Sequence, residues 1–333
     1  FTVGRAGRLL EGNFLDSRFS AVVSRLSFLD SRFLVERHAY KSPPPTSPPS
    51  IMGCCTSVAT ADGAYDPSPF AVSVAVKQKT DYKEESMEIK HTDQAKILVV
   101  CTDDGRLKMA NGKVFNTGNH PVEMLLPMLH FKKAGFTFEF ATVSGGPVVL
   151  EMWAFPTKDV EVTAFHKELE PALNAPTKLE DVDASLAGYA GVFIPGGHGA
   201  MVNLPQSLAL GKLLHSAHGR GMPTITLCHG PATLVAATLV EGGTEFPYKG
   251  YKMVTFSDKT DAFTPNIGYI PGVMPWKCQE VLQSHGCETL NTSESGATHV
   301  DRELITGDSP QAGNNLGKVA TPILVASWAK LSA

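Results

Sequence analysis

From residue 95 onward the chain alternates short, continuously apolar runs with longer segments whose apolar positions recur every three or four residues. AKILVVCTD at 95–103 is an apolar run closed by polar residues, the pattern of a strand buried on both faces of a parallel sheet. HPVEMLLPMLHFKKAG at 120–135 puts Val122, Leu125, Leu126 and Leu129 on one helical face. It ends in Lys132, Lys133 and Gly135, which suit a helix C-terminus. FTFEFATVS at 136–144 alternates like a strand. Further strands are expected at 190–197, 223–228 and 251–258 (YKMVTFSD), and further helices at 206–219, 230–240, 275–286 and 315–331, the last with a candidate kink at Pro322. Such alternation predicts an α/β fold, a three-layer sandwich around a mostly parallel sheet. Sites on such sheets form outside the carboxyl ends of the strands. Residues 145–187 interrupt the alternation and carry Trp153 and Pro156. They are expected to form a small inserted cap over the site; an inconsequential surface excursion is the equal alternative.

Up to about residue 94 no period is sustained. FLDSRF occurs at 14–19 and again at 28–33, and KSPPPTSPPS at 41–50 suits an extended polyproline linker rather than a helix or central strand. Residues 1–90 are therefore expected to be a poorly structured extension, and 91–333 one catalytic domain. MGCCTS at 52–57 fits an N-myristoylation pattern if translation starts at Met52, with Cys54 and Cys55 as palmitoylation sites. Chance coincidence is the favoured reading. An organelle transit peptide is a third: Arg5, Arg8, Arg18, Arg25, Arg32 and Arg37 favour it, while Glu11, Asp16, Asp30 and Glu36 oppose it.

Composition narrows the classes. The 333 residues carry a formal charge of −4 with 43% hydrophobic and 19% charged residues, enough apolar content for a sizeable core. The mild acidity argues against nucleic acid as a partner. No run of roughly 18 apolar residues is present, so no transmembrane helix is expected. The six cysteines show no paired CxxC spacing, which argues against a disulfide scaffold or a zinc ribbon.

Three segments carry candidate chemistry. In ITLCHGPATL at 225–234 an apolar run ends at Cys228 and a helix starts within a few residues, the arrangement of a nucleophile elbow. The helix N-terminus would favour the thiolate; an inert core thiol is the alternative. IPGGHG at 194–199 also ends a strand, and Gly196 and Gly197 could aim backbone N–H groups at an oxyanion, although most such pairs are plain turns. TGNHPVE at 117–123 puts Glu123 near a helix start, either as a capping-box residue or as a half-buried carboxyl leaning over Cys228 with a raised pKa. His229 follows the cysteine and needs an orienting carboxylate; Asp258 and Asp261 are the candidates, with a surface turn as the bland reading of both.

TGNHPVEMLLP, IPGGHGAMVNLP, LCHGPA, TPNIGYIPG and DRELITGDSPQAGNNLGK, in this order, resemble the DJ-one/PfpI superfamily, in particular its branch of glutathione-independent glyoxalases (glyoxalase III), also described as chaperone-like protein deglycases. The resemblance covers residues 96–331. It implies a flavodoxin-like, class I glutamine amidotransferase-like fold. By motif position it implies Cys228 as nucleophile, His229 as its base, Glu123 as acidic partner and Asp261 as third triad member. Gly196 or Gly197, with the His229 N–H, would hold the oxyanion. The implied activity is a lyase reaction, methylglyoxal and water to lactate, with no cofactor. Implied partners are a small dicarbonyl, with unfolded or glycated proteins in a holding-chaperone or deglycase role, and a second copy in a homodimer. The implied setting is cytoplasmic, with the nucleus as a further one. A cysteine peptidase or amidase is a further alternative. Some members carry a two-histidine, one-carboxylate metal site; the aligned positions here are Lys132, Thr137 and Leu169, so no such site is expected.

Overall fold

The computed structural model describes residues 55–83, 95–241 and 245–332. All of these belong to one compact unit, residues 48–333. The FLDSRF repeats, the proline-rich segment, the arginines weighed for a transit peptide and Met52 to Cys54 lie outside the described residues.

The central sheet has seven strands: β3 (Lys96–Cys101), β6 (Thr137–Thr142), β7 (Thr177–Lys178), β8 (Tyr189–Ile194), β9 (Thr224–Leu227), β12 (Thr298–Asp301) and β13 (Leu304–Gly307), in the order β12-β13-β9-β8-β3-β6-β7. Every neighbouring pair is parallel except β12 and β13. Helices α2 (Pro121–Lys133), α3 (Val160–Asn174) and α4 (Leu208–Gly219) are the crossovers, and α7 (Gly313–Leu331) closes the chain as one helix containing Pro322.

The pleat of β3 explains the layering. Ile97 and Val99 face a core with Met124, Leu125 and Phe131 of α2, Phe165 and Leu169 of α3, and Leu316 and Leu324 of α7. Leu98 and Val100 point the other way, toward Leu210, Leu213 and Leu214 of α4 and Leu234. Successive strand residues alternate faces, so a strand covered on both sides must be apolar throughout, as KILVVC is. Truncating a core residue such as Leu98 to Ala would cost about 2–5 kcal/mol. The expected three-layer α/β class is what the chain adopts.

Three expectations need correction. First, α3 does not cap the site. Its apolar stripe, Val162, Phe165, Leu169 and Leu173, packs in the sheet core, and only the loop before it borders the site. Second, of YKMVTFSD only β10 (Lys252–Met253) is a strand, and it pairs with β11 (Glu288–Thr289) rather than the main sheet. The buried segment after it ends at Ser257, which caps helix α5 (Asp258–Phe263) by accepting the Thr260 N–H. Third, residues 55–83 are structured, although they fall within the stretch expected to be a loose extension. β1 (Val58–Ala59) pairs with β2 (Tyr65–Asp66), and β2 joins the hairpin of β4 (Arg106–Lys108) and β5 (Val114–Asn116) in a second sheet. Ser68 caps α1 (Pro69–Ala75) and donates to the Ile267 carbonyl at 2.9 Å. The β2–β5 pairing and the Ser68–Ile267 bond are with residues far along the chain, which local periodicity does not reveal. No helix among the described residues is long and apolar enough to cross a membrane.

Candidate active site

β9 stops at Leu227, and Cys228 turns the chain with φ +58°. A left-handed conformation at a residue with a Cβ costs roughly 1–2 kcal/mol. Flanking bonds hold it in place: the Cys228 N–H donates to the Gly307 carbonyl and its own carbonyl accepts the Phe256 N–H, both at 2.9 Å. A 3₁₀ helix, Gly230–Leu239, begins two residues later. The elbow expected at ITLCHG is present, and its backbone conformation is the strained one such turns use.

The turn brings His229 back to the sulfur. Cys228 Sγ lies 3.3 Å from His229 Nδ1. His229 Nε2–H donates to Asp261 Oδ2 at 2.8 Å, and the ring stacks on Phe256 at 4.7 Å between centroids. Cys228, His229 and Asp261 are all buried. Burial alone would raise the Asp261 pKa, but the neighbouring imidazoles His229 and His198 outweigh it and hold the carboxyl well below the usual carboxylate range. An ionised carboxylate only accepts, so His229 must present Nε2–H to it and keep Nδ1 free to take a proton from the thiol. Of the two candidate carboxylates, Asp258 is elsewhere: its oxygens accept the Gln279 and Glu280 N–H groups at 2.9 Å, capping α6 (Cys278–Ser284).

Glu123 is the third residue of α2 and fully buried. It does not serve as a capping-box residue, because the His120 N–H donates to the Gly196 carbonyl instead. Its carboxyl faces the Cys228 thiol and the Gly197 N–H, yet neither oxygen completes a hydrogen bond of good geometry. Burial, reinforced by the charge of Glu151, pushes its pKa well above the usual carboxylate range. Gly196 makes this convergence possible: a Cβ there would lie 2.1 Å from Glu123 Oε2 and 2.7 Å from Cys228 Cβ. Gly197 has φ +96°, and its N–H is turned toward the sulfur.

One electrostatic expectation is corrected. Burial, then the Glu123 carboxyl, pushes the Cys228 thiol above its ordinary value, so the helix start does not make it a resting thiolate. Reactivity must then come from proton transfer to His229, with the Glu123 carboxyl beside the sulfur.

The structure adds three groups that the sequence reading did not single out. His198, directly after Gly197, sends Nε2–H to Asp261 Oδ1 at 3.0 Å and lies tilted against the His229 ring, 4.0 Å between centroids. Its signal was present in IPGGHG, where only the glycines were weighed. Glu151, in the loop before α3, accepts from Thr117 Oγ1 at 2.6 Å; burial raises its pKa to about 7. His120 is buried with Nδ1 unpartnered, and burial lowers its pKa to about 3. Neither of the last two stands in a pattern that points to chemistry.

Among the described residues, His198, His229 and Asp261 alone group as potential metal ligands, with donor atoms within 4.8 Å of one another. They are already one another's hydrogen-bond partners. At the positions aligned with the superfamily's metal site, Lys132 pairs with Glu168 and lies over the Phe165 ring, and Leu169 is in the core. These residues do not form a ligand set.

Comparison with known proteins agrees with the architecture. Residues 114–256 match the DJ-1/PfpI family. The protein/nucleic acid deglycase HchA of Pseudomonas aeruginosa is 44% identical over 272 residues, which cover 80% of this chain and 94% of that protein. The protein of the same name from Escherichia coli O157:H7 is 41% identical over 271 residues, covering 80% and 94%. The crystal structure of glyoxalase III from Candida albicans superimposes with a TM-score of 0.55 over 68% of this chain and 97% of that one; at 23% identity this is a likeness of fold.

Proposed function

The chain belongs to the DJ-1/PfpI family, and on that premise we propose that it is a glutathione-independent glyoxalase that turns methylglyoxal and water into lactate through a hemithioacetal on Cys228. The observation that carries this reading is the Cys228 thiol, on a strained elbow, 3.3 Å from an imidazole that an ionised Asp261 orients.

In this scheme His229 takes the Cys228 proton as the sulfur attacks the aldehyde carbon, forming a C–S bond. The carbonyl oxygen becomes the hemithioacetal hydroxyl, with the Gly197 N–H beside the sulfur as a donor for the developing charge. Glu123 and His229 then move a proton from the former aldehyde carbon to its neighbour. The ketone becomes an alcohol and the hemithioacetal a thioester. Water cleaves the thioester, releasing lactate and restoring the thiol, so the one water consumed balances the overall reaction. A carboxyl whose pKa burial raises above the usual carboxylate range can both give and take protons here, which suits Glu123.

A protein or nucleotide deglycase is the second reading, favoured by the name its relatives carry. The same thiol would attack the carbinol carbon of an early glyoxal adduct and release the amine. For this reason the expectation that nucleic acid is no partner is not carried forward. Carbon-13-labelled methylglyoxal, supplied without glutathione, separates the readings: direct glyoxalase action gives labelled lactate with no amine present. Deglycase action gives it only from preformed adducts of N-acetyl-lysine or of guanosine. Glu123→Gln is expected to remove most turnover in either assay. Unchanged turnover would show that Glu123 is only structural.

A further inference from the structure

We propose that His198 is a positioning residue: it holds the Asp261 carboxylate, and through it His229, in register with Cys228. The inference builds on the Cys228–His229–Asp261 arrangement but not on which substrate the thiol attacks.

Asp261 has two oxygens and two imidazole partners. His229 donates to Oδ2 at 2.8 Å and His198 to Oδ1 at 3.0 Å. A carboxylate held at one oxygen can rotate about its Cβ–Cγ bond; held at both, it cannot. His198 is itself fixed, because it is buried, follows Gly197 in a short 3₁₀ turn, His198–Met201, and meets Phe115 edge-on at 5.7 Å. Its ring also lies against His229 at 4.0 Å and limits the tilt of that imidazole. Losing the donor would leave Oδ1 buried and unpaired, and the cheapest repair is rotation of Asp261 away from His229. Nδ1 of His229 would then lose its place beside the sulfur.

The buried negative charge has a second consequence. Asp261 neutralises one imidazolium, not two. When His229 accepts the thiol proton, the carboxylate already balances that one positive charge, and what His198 contributes is its hydrogen-bond donor to Oδ1. The other titratable groups around the pair are Glu151, whose carboxyl accepts the His198 backbone N–H, His120 and Glu123 at the start of α2, Cys228 on the elbow and Tyr269 beside the His198 ring. A role as donor is separable from a role as titrating base, because glutamine can supply the first and not the second.

The test measures Cys228 directly, without any substrate. Iodoacetamide alkylation of Cys228 is followed by mass spectrometry from pH 5 to 10 in the wild type, His198→Gln and His198→Leu, each shown to be folded by circular dichroism. For His198→Leu, alkylation at neutral pH is expected to slow by about tenfold, with the midpoint moving to higher pH. For His198→Gln both should stay close to wild type. In whichever turnover assay the wild type supports, His198→Leu should lower kcat and leave KM nearly unchanged. A folded His198→Leu variant with the wild-type alkylation profile would overturn the proposal. So would a His198→Gln variant as impaired as His198→Leu, since the proton-carrying imidazole, not the donor, would then matter. A wild type that makes no lactate would sink the glyoxalase reading and leave this test intact.

Discussion

Two histidine–carboxylate pairs in this molecule look alike on paper and differ in everything around them. His229 and Asp261 meet at 2.8 Å, His218 and Glu303 at 2.7 Å. The first pair is sealed, with side-chain exposures of 0% and 4%; in the second the imidazole is 37% exposed. Glu303 shares its oxygens with the Tyr251 hydroxyl at 2.8 and 3.0 Å, and His218 lines an open cavity of about 600 Å³ with Phe246 and Lys249. No thiol stands beside His218 among these contacts. At Asp261 a second imidazole and a strained cysteine complete the set. A short histidine–carboxylate distance is thus a common device for fixing an imidazole. It becomes chemistry only where a nucleophile is held on the far ring nitrogen and water is kept out, so that the charge pair is not screened.

The sharpest way to break this comparison is to neutralise each carboxylate in turn. Asp261→Asn is expected to lower turnover by about a hundredfold or more, as loss of an oriented general base does. Glu303→Gln should leave turnover within about twofold, with any cost appearing in stability through the weakened bonds to His218 and Tyr251, about 1–3 kcal/mol. Steady-state kinetics on the two variants check it, and equal losses would mean that the buried pair has no special role.

A smaller effect sharpens the contrast in burial. Glu151 ordinarily titrates near 4.5 and in the fold near 7, with burial as the main cause. Between those values the folded protein keeps a proton that the unfolded chain has released, so stability is lost as pH rises through this window. The full penalty above pH 7 is about 3 kcal/mol. Glu151→Gln carries no such penalty. Urea melts at pH 4, 6 and 8 should show the variant gaining on the wild type by about 3 kcal/mol across the series, somewhat more than half of it by pH 6. A difference that does not change with pH would place Glu151 in a wetter environment than its burial implies.

How far the sequence foretold all this depends on the range of the contacts involved. Strands β3, β8 and β9 were legible because a strand covered on both faces must be continuously apolar, and KILVVC and YAGVFI carry that constraint locally. The elbow was legible because strand, cysteine and helix start are adjacent. Asp261 was one of two candidates by residue type and was singled out by family resemblance. His198 stood beside the glycines of IPGGHG, but its pairing with Asp261 was not legible, since that partner lies 63 residues away. The same holds for β2, which pairs with β5 across some fifty residues, and for α3, whose stripe fits a sheet face as well as a cap. The thiol's raised pKa was missed because burial is a tertiary property, and it outweighs the local helix start that the sequence does show.

The claim at the centre is that one buried thiol does the work. The direct measurement is lactate formed from methylglyoxal without glutathione, by the wild type and by Cys228→Ala, with circular dichroism showing that both are folded. Lactate from the wild type and none above the uncatalysed background from the variant is the expected result. Comparable lactate from both would contradict the account.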